Sequence, residues 1–576
     1  MFSKKWRTSE RKFEIRVERD VKIPLGDGIE LNADIFRPDS AGQFPAILGY
    51  HPYDERPQTA PIMPSAFASI TARPIGMERG NGPLEAGDPS FFVRRGYVHV
   101  VASIRGTGKS GGIYPFLGPP EPQDGYEVIE WMARQPWCDG HVGMFGVSYF
   151  ARIQQFIAAL NPPHLKCIFA PWASTDLYRD SLYHGGILGE KWALSWSKAL
   201  NIRRYESECL REWGEDKYRK AIARLLEDED LRANADLVRC LKNPDQETNA
   251  LVVDVLLNPH DGPFWDKRKV NYDGLSVPAY IGADWGIYGL HLPGAFRSWE
   301  NLEGPKKMII GPPAYLERPV YQLQYEALRW FDYWLKGVET GIMEEPPIRL
   351  FLTPTRRWKN ADEWPLPETK WTPFYLHENG LLWEREHFPN EGYTSFFDSP
   401  WARGTLEFCS PPLVEETEVM GPILLNLYAS TTDHEILWFI SLLEVDPADN
   451  EKVLTRGWLR GTHKEVDPGR SRPWEPFHPH QGSRPLTPGE IYEFNIRLIP
   501  TGYLFRAGAR IKLRIACTDD AEPAHSLETL AGGHIRRQSP SRITVYHNAD
   551  HPSNLLLPIT AGNVMGTYVS GGKPYL

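Results

Sequence analysis

The chain has 576 residues, a formal net charge of −10 and an apolar content of 41%. This length exceeds what one hydrophobic core usually supports, so we expect two or three domains. The apolar content and the 20 tryptophans exclude a disordered chain. Because acidic and basic residues are interleaved with an acidic excess, nucleic acid and anionic membranes are disfavoured as partners.

Cysteine usage and the N-terminus bear on the cellular compartment. The six cysteines are scattered without a Cys-x-x-Cys pair, which predicts neither a zinc site nor a disulfide framework. The first 20 residues lack the apolar segment of a signal peptide, and no apolar run is long enough to span a bilayer. We therefore expect a cytoplasmic protein.

The chain up to about residue 173 alternates short apolar runs with helical patterns. The runs at 44–50 and 97–103 are continuously apolar, which is typical of strands buried on both faces. Residues 124–135 have apolar side chains at helical spacing. This βαβ rhythm predicts an α/β fold with a parallel sheet covered by helices.

From about residue 174 to 272 the pattern becomes helical throughout. Strong helix formers dominate, and their apolar residues are three and four apart, which predicts a helical insertion. The runs at 277–284 and 306–313 then resume the buried-strand pattern. We therefore assign two stretches to one α/β domain, 1–173 and 273–344.

The last part of the chain, 345–576, has few helical patterns. Strand-like pieces at 423–430, 436–445 and 510–518 lie between turns rich in proline and glycine, which predicts an antiparallel β-sandwich of jelly-roll type. The histidines of "PFHPHQG" (476–482) lack neighbouring carboxylate or cysteine spacing for a metal site. We expect an ordered loop there.

A serine follows a short apolar run and precedes an amphipathic helix in "VGMFGVSYFARIQQF" (142–156). A strand, a sharp turn at 146–148 and a helix form the context of a nucleophile elbow, in which the helix N-terminus offers N–H groups to an oxyanion. Ser148 is therefore a candidate nucleophile. The pattern alone leaves open that Ser148 only caps the helix.

Five segments follow one another in a recognisable order: 27–38, 51–55, 103–112, 124–149 and 457–464. Together they resemble the cocaine esterase / X-prolyl dipeptidyl peptidase-like family, the CocE/NonD hydrolases, over nearly the whole chain. The resemblance implies an α/β-hydrolase fold with a helical cap insertion and a C-terminal all-β jelly-roll sandwich. The serine motif of that family, G-x-S-Y followed by an apolar and a small residue, implies Ser148 as the catalytic nucleophile.

The resemblance also implies an oxyanion hole. In this family a tyrosine of an N-P-Y-D-like turn donates its hydroxyl beside the backbone N–H that follows the serine. The matching groups are the Tyr53 hydroxyl in "HPYDE" and the Tyr149 amide. A phenol is a fixed donor that reorganises little when charge develops. The alternative is that Tyr53 merely packs there.

The family's catalytic aspartate and histidine are both altered in this sequence. The family places its aspartate in G-W-Y-D and its histidine in G-P-W-x-H, after two successive strands. When Trp285 is aligned with the family tryptophan, Ile287 occupies the aspartate position. Gly311 and Pro312 are kept, but Tyr315 occupies the histidine position.

Nearby residues offer replacements for this missing pair. Asp284 precedes the aligned tryptophan, and His291 follows seven residues later on the same loop, so we expect His291 and Asp284 to act together. Tyr315 as an acid or anionic base would need a pKa far below its usual value of about 10. Three other histidines remain open as the base: His51, His184 and His260.

The expected activity is serine-dependent hydrolysis of a small-molecule ester or amide through an acyl-enzyme, without a metal or organic cofactor. The cap and the jelly roll would wall a mostly apolar acyl pocket, and their surface suits a homodimer. Two alternatives remain open. One is C–C cleavage or acyl rearrangement with Ser148 and Tyr315 as proton-transfer groups. The other is a non-catalytic binder on the same scaffold.

Overall fold

Two large β-sheets organise the chain, one in each half. The computed structural model of the chain describes residues 7–53, 84–246, 248–287, 289–313, 319–386, 388, 391–519 and 533–562. Within these residues, no helix combines the length and the apolar character needed to cross a membrane.

The first sheet is mostly parallel. The strands of this half are, in chain order, β1 (Ile15–Pro24), β2 (Glu30–Pro38), β3 (Phe44–His51), β4 (Val98–Ser103), β5 (Cys138–Phe145), β6 (Leu165–Pro171), β7 (Tyr183–His184), β8 (Ile187–Leu188), β9 (Ala279–Asp284), β10 (Lys306–Gly311), β11 (Ile348–Leu352) and β12 (Arg357–Ala361). The sheet order is β1-β2-β4-β3-β5-β6-β9-β10-β11-β12, and β7 and β8 form a separate hairpin. Strands β4 to β11 of this order pair in parallel, whereas β1–β2, β2–β4 and β11–β12 are antiparallel.

Helices cover this sheet and form the predicted insertion. They are α1 (Pro89–Val93), α2 (Glu121–Ala133), α3 (Tyr149–Ala158), α4 (Glu190–Ala199), α5 (Glu208–Trp213), α6 (Glu215–Leu225), α7 (Glu229–Arg232), α8 (Ala235–Lys242), α9 (Asn249–Leu257), α10 (Pro263–Asp266), α11 (Leu292–Asn301) and α12 (Pro319–Lys336). A π-helical turn covers Tyr178–Leu182, and short 3₁₀ turns cover Leu84–Ala86, Ile342–Glu344, Glu378–Gly380 and Gly461–His463. Helices α4 to α10 all lie between β6 and β9.

Polar residues divide the insertion into short helices. The side chains of Ser207, Asp228 and Asn234 each accept a hydrogen bond from a first-turn N–H, so α5, α7 and α8 begin there. Between α4 and α5 the chain is not helical and contacts the loops that follow β3 and β4. There the Asn201 amide donates to the Pro52 carbonyl at 3.1 Å, so the insertion supports the turn that contains Tyr53.

The second sheet is mostly antiparallel. Its strands are β13 (Lys370–His377), β14 (Leu381–Trp383), β15 (Tyr393–Asp398), β16 (Thr405–Cys409), β17 (Thr417–Thr431), β18 (Leu437–Val445), β19 (Glu451–Arg460), β20 (Tyr492–Phe505), β21 (Arg510–Ala516), β22 (Ser541–Asn548), β23 (His551–Pro552) and β24 (Asn554–Ala561). The order is β15-β22-β17-β20-β19-β18-β21-β16-β14-β13-β24, with β23 beside β22. Because β17 also pairs with β24, the sheet closes around its own core.

The two halves are packed against each other. Phe439 and Trp458 of the second sheet belong to the hydrophobic core of the first half. The Leu504 amide donates to the Thr353 carbonyl at 2.7 Å, and the Arg460 amide donates to the Gly185 carbonyl at 2.8 Å. The β domain is therefore attached to the α/β domain by both apolar packing and backbone hydrogen bonds.

The observed elements agree with the sequence pattern where strands are continuously apolar. Strands β3, β4, β9 and β10 coincide with the four predicted buried runs. The sheet order and strand directions are those that an α/β-hydrolase resemblance implies. The four domain limits given above stay predictions.

Candidate active site

Ser148 lies in the sharp turn between β5 and α3. Its backbone has φ 60° and ψ −121°, a conformation that is strained for any residue with a Cβ and typical of a nucleophile elbow. Gly146 has φ +146°, and a Cβ there would lie 2.4 Å from the Cβ of Phe150. The turn therefore requires glycine at 146, and it holds Ser148 at the start of α3.

The hydroxyl of Ser148 does not cap the helix. Ser148 is the N-cap residue of α3, but its side chain accepts no hydrogen bond from the first helical turn. Its Oγ instead lies 3.3 Å from Nε2 of His291. This is the geometry expected of a nucleophile beside its base rather than of a capping serine, and it places Ser148 next to His291, the first predicted base.

His291 is held by the loop that leaves β9. The Ile287 carbonyl accepts hydrogen bonds from the amides of His291 and Leu292, each at 3.2 Å, and α11 begins directly after His291. Helix α11 packs very closely on the segment after β6, because a Cβ on Gly294 would lie 2.0 Å from the Ala173 carbonyl oxygen. This packing fixes the imidazole beside the elbow.

Burial determines the protonation state of His291. The side chain is buried, and desolvation lowers its pKa to about 3. The imidazole is therefore neutral near pH 7. With the proton on Nδ1, Nε2 is able to accept the proton of the Ser148 hydroxyl.

Asp284 does not orient His291, contrary to the expectation from the sequence. Its Oδ2 accepts a hydrogen bond from the Trp172 indole at 2.8 Å, and its Oδ1 accepts one from the Gly286 amide at 2.8 Å. Asp284 is the last residue of β9, and its carboxylate is used by the turn that follows and by the segment after β6. Burial raises its pKa to about 7. Asp284 thus stabilises the loop that carries His291.

Tyr53 lies in the turn after β3, beside the elbow. It lines the same pocket as Ser148, its ring centroid is 6.1 Å from that of Tyr149, and burial raises its pKa well above 10, so its hydroxyl stays a hydrogen-bond donor. Tyr149 is the first residue of α3, and a first-turn N–H has no acceptor within its helix. Both predicted oxyanion donors are therefore placed at the elbow.

The remaining candidate bases are engaged elsewhere. His51 Nδ1 accepts the Tyr53 amide at 3.1 Å, and its ring stacks on Phe150 at 4.8 Å between centroids, so His51 supports the tyrosine turn. His184 is bonded to His534 at 2.8 Å, at the boundary with the β domain. His260 packs against the ring of His463. Tyr315 lies outside the described residues.

Sequence reasoning missed a buried polar cluster behind the elbow. The Tyr149 hydroxyl donates to both carboxyl oxygens of Glu121 at 2.9 Å and lies 3.1 Å from the Tyr114 hydroxyl. Burial raises the pKa of Glu121 to about 8. Arg152, one turn after Ser148, is also buried and lines the pocket of Ser148 and His291. An arginine on the apolar face of the helix was the available signal.

The two histidines of the loop 476–482 are hydrogen-bonded to neighbouring segments of the β domain. His478 nitrogens lie 2.9 and 2.7 Å from the carbonyl oxygens of Glu465 and Asn495. His480 Nδ1 is 3.2 Å from His463 Nδ1. Across the part of the chain that the structure describes, no group of three or more His, Cys, Asp or Glu side chains is arranged to hold a metal ion.

The fold and the site together define an α/β-hydrolase with a serine–histidine pair and a C-terminal β domain. The sequence profile of the X-Pro dipeptidyl-peptidase (S15 family) matches residues 27–315. The profile of the X-Pro dipeptidyl-peptidase C-terminal non-catalytic domain matches residues 340–556. The chain belongs to the CocE/NonD, X-Pro dipeptidyl-peptidase-like family.

Individual relatives cover almost the whole chain. The cocaine esterase of Rhodococcus sp. is 25% identical and covers 94% of this chain and 98% of its own. A CocE/NonD family hydrolase of Staphylococcus aureus superposes with a TM-score of 0.76 at 24% identity, covering 95% of this chain and 93% of its own. An α-amino acid ester hydrolase superposes with a TM-score of 0.72 at 18% identity, covering 96% and 98%. Serine esterase and peptidase relatives indicate a hydrolase of ester or amide bonds.

Proposed function

We propose that this protein hydrolyses an ester or amide through a covalent acyl-enzyme formed on Ser148. The observation that supports this most strongly is the 3.3 Å contact between Ser148 Oγ and His291 Nε2 at a strained elbow. A serine hydroxyl needs an adjacent base to become a nucleophile at neutral pH. His291 is that base, and Asp284 holds its loop rather than its ring.

The reaction proceeds in two halves. Ser148 Oγ attacks the carbonyl carbon while its proton passes to His291 Nε2, and the oxyanion accepts hydrogen bonds from the Tyr149 amide and the Tyr53 hydroxyl. His291 then returns the proton to the leaving oxygen or nitrogen, and the acyl group stays on Ser148. Water attacks this acyl-enzyme with His291 again as the base, and the acid is released.

The acyl group binds in a pocket with mainly apolar walls. Trp192 and Trp196 line it with parallel rings whose centroids are 6.0 Å apart, and Leu117 and Leu290 line it as well. Trp192 and Trp196 lie on α4, so the helical insertion acts as a cap over the elbow. The β domain, of jelly-roll type, contacts this cap, because the Lys191 amide donates to the Gly533 carbonyl at 3.1 Å. A homodimer in the cytoplasm remains our expectation for the assembly.

A fluorophosphonate probe tests the nucleophile. We expect stoichiometric labelling of Ser148, identified by mass spectrometry, and loss of both labelling and ester hydrolysis by several orders of magnitude in Ser148→Ala. Ser195→Ala is the matched control, since its hydroxyl donates to the Lys191 carbonyl on α4, away from His291. Labelling without any ester or amide hydrolysis would favour C–C cleavage or acyl rearrangement. Absence of labelling would favour a non-catalytic binder.

A further inference from the structure

Arg152 is a buried cation inside the pocket of the proposed nucleophile. It lies on α3 four residues after Ser148, so the two side chains share one face of the helix. Only 3% of its surface is accessible to solvent. It lines the same pocket as Ser148 and His291. The mechanism above gives this arginine no role.

The guanidinium of Arg152 has unused hydrogen-bond donors. Its Nη2 donates to the Arg268 carbonyl at 3.0 Å, and its carbon lies 4.3 Å from the centre of the Phe156 ring. Among the described residues, Nε and Nη1 have no acceptor. An arginine keeps its charge in a protein interior, and buried donors normally have partners. Among the described residues, two buried N–H groups of Arg152 are therefore left for an acceptor from outside.

The charges around Arg152 also favour an added anion. Arg268, a second buried cation nearby, is already paired with a carboxylate: its Nη2 donates to Glu208 at 2.8 Å. Glu121 is close enough to interact electrostatically with Arg152, but it is occupied by the Tyr149 hydroxyl, and burial raises its pKa to about 8. Near neutral pH, Arg152 thus lacks a hydrogen-bonded carboxylate among the described residues.

We propose that Arg152 binds a carboxylate of the substrate, so that the enzyme selects esters or amides whose acyl group ends in an anionic carboxylate. This rests on the proposed function of Ser148. The tryptophans and leucines of the pocket then contact the hydrocarbon between the scissile carbonyl and the carboxylate. Charge-assisted hydrogen bonds between arginine and carboxylate are among the strongest in proteins, so one arginine is sufficient to set this preference.

The substrate preference is measurable with matched esters in a pH-stat assay. The probes are the monoethyl esters of succinic, glutaric and adipic acids and the uncharged ethyl esters of the same chain length. We expect the wild-type enzyme to favour at least one half-ester over its uncharged match by roughly 10- to 100-fold in kcat/KM. In Arg152→Met this ratio should fall to about one or below, and Arg152→Lys should retain part of it because the charge is kept.

Arg204→Met is the matched control, because Arg204 is an exposed arginine on the insertion that pairs with Glu206. It should keep the wild-type ratio. The proposal is overturned if the wild-type enzyme shows no preference for any half-ester, or if Arg152→Met keeps the preference. A wild-type measurement covers the case in which Arg152→Met does not fold. The free dicarboxylate should inhibit hydrolysis of the uncharged ester competitively and more strongly than the matching monocarboxylate, and equal inhibition would contradict the proposal.

Failure of the proposed function is recognised separately. In that case the fluorophosphonate does not label Ser148 and none of the esters is hydrolysed. Calorimetric titration with the three dicarboxylates then decides the role of Arg152 without catalysis. A dicarboxylate that binds the wild-type protein at least roughly tenfold more tightly than Arg152→Met would support the anion site. Equal binding to both proteins, or no binding to the wild type, would refute it.

Discussion

Replacing His291 by alanine tests the base most directly. Its Nε2 lies 3.3 Å from Ser148 Oγ, so the variant leaves the hydroxyl without that proton acceptor. A general base contributes about 10²–10⁴-fold to the rate. The rate falls further when the base acts as one unit with a nucleophile and is removed. We therefore expect kcat to fall at least about 10³-fold, which corresponds to about 4 kcal/mol of transition-state stabilisation.

The same residue sets the pH dependence. Burial lowers the pKa of His291 to about 3, whereas an exposed histidine titrates at about 6.5. A lowered pKa keeps the imidazole neutral in more acidic solution, so the base form persists as the pH falls. We expect kcat/KM to stay constant from about pH 8 to about pH 5 and to decline only below that range.

The assay measures kcat/KM for one ester across this pH range in the wild type, His291→Ala and His184→Asn. His184 is a control of equal burial that contacts His534 rather than Ser148. Circular dichroism at each pH separates unfolding from loss of the base. Full activity in His291→Ala would show that His291 is not the base. A wild-type pH profile with its midpoint near 6.5, if that midpoint disappeared in His184→Asn, would assign the base to His184 instead. A rate that rises toward alkaline pH and disappears in Tyr315→Phe would identify the tyrosine as the base.

Two further predictions concern the oxyanion hole and the loop. Tyr53→Phe removes one donor and should lower kcat about 10²–10³-fold with an unchanged melting temperature; full activity would mean that Tyr53 only packs. Burial raises the pKa of Asp284 from 3.8 in the unfolded chain to about 7, so the folded protein holds this proton more tightly than the unfolded chain does. The protonated Asp284 therefore contributes its full share of folding stability below pH 3.8, and this share is lost as the pH rises through 7. The melting temperature of the wild type should therefore fall between about pH 5 and pH 8, and it should fall less in Asp284→Asn. An equal fall in both proteins would mean that Asp284 does not titrate in this range.

Local patterns explain why the elbow was predictable. Strand β5, the turn at 146–148 and α3 are contiguous in sequence, and a strained strand-to-helix turn needs only a glycine and a small residue at fixed positions. The parallel strands β3 and β4 are covered on both faces, which is why they appear as continuous apolar runs. Such features depend on few distant contacts.

The failure at Asp284 has a different origin. A carboxylate at a strand end is able to turn toward several neighbours, and the choice here depends on Trp172, which lies 112 residues earlier in the chain. Arg152 was missed for a similar reason. Its place on the apolar face of α3 was a signal, but its burial depends on Arg268 of the insertion, which lies 116 residues later in the chain and could not be paired with it from the sequence.

The altered family motif is compatible with an active enzyme because neighbouring loops share one edge of the sheet. Strands β5, β6, β9 and β10 are consecutive and parallel, so the loops after them begin at the same edge of the sheet as the elbow. The resemblance implies a base from the loop after β10, but here His291 reaches Ser148 from the loop after β9. Because this histidine is not bonded to Asp284, its protonated form gains no stabilisation from that carboxylate. Under the proposed mechanism, the Tyr53 hydroxyl stabilises the oxyanion, so the rate lost in Tyr53→Phe measures how much this site relies on that donor.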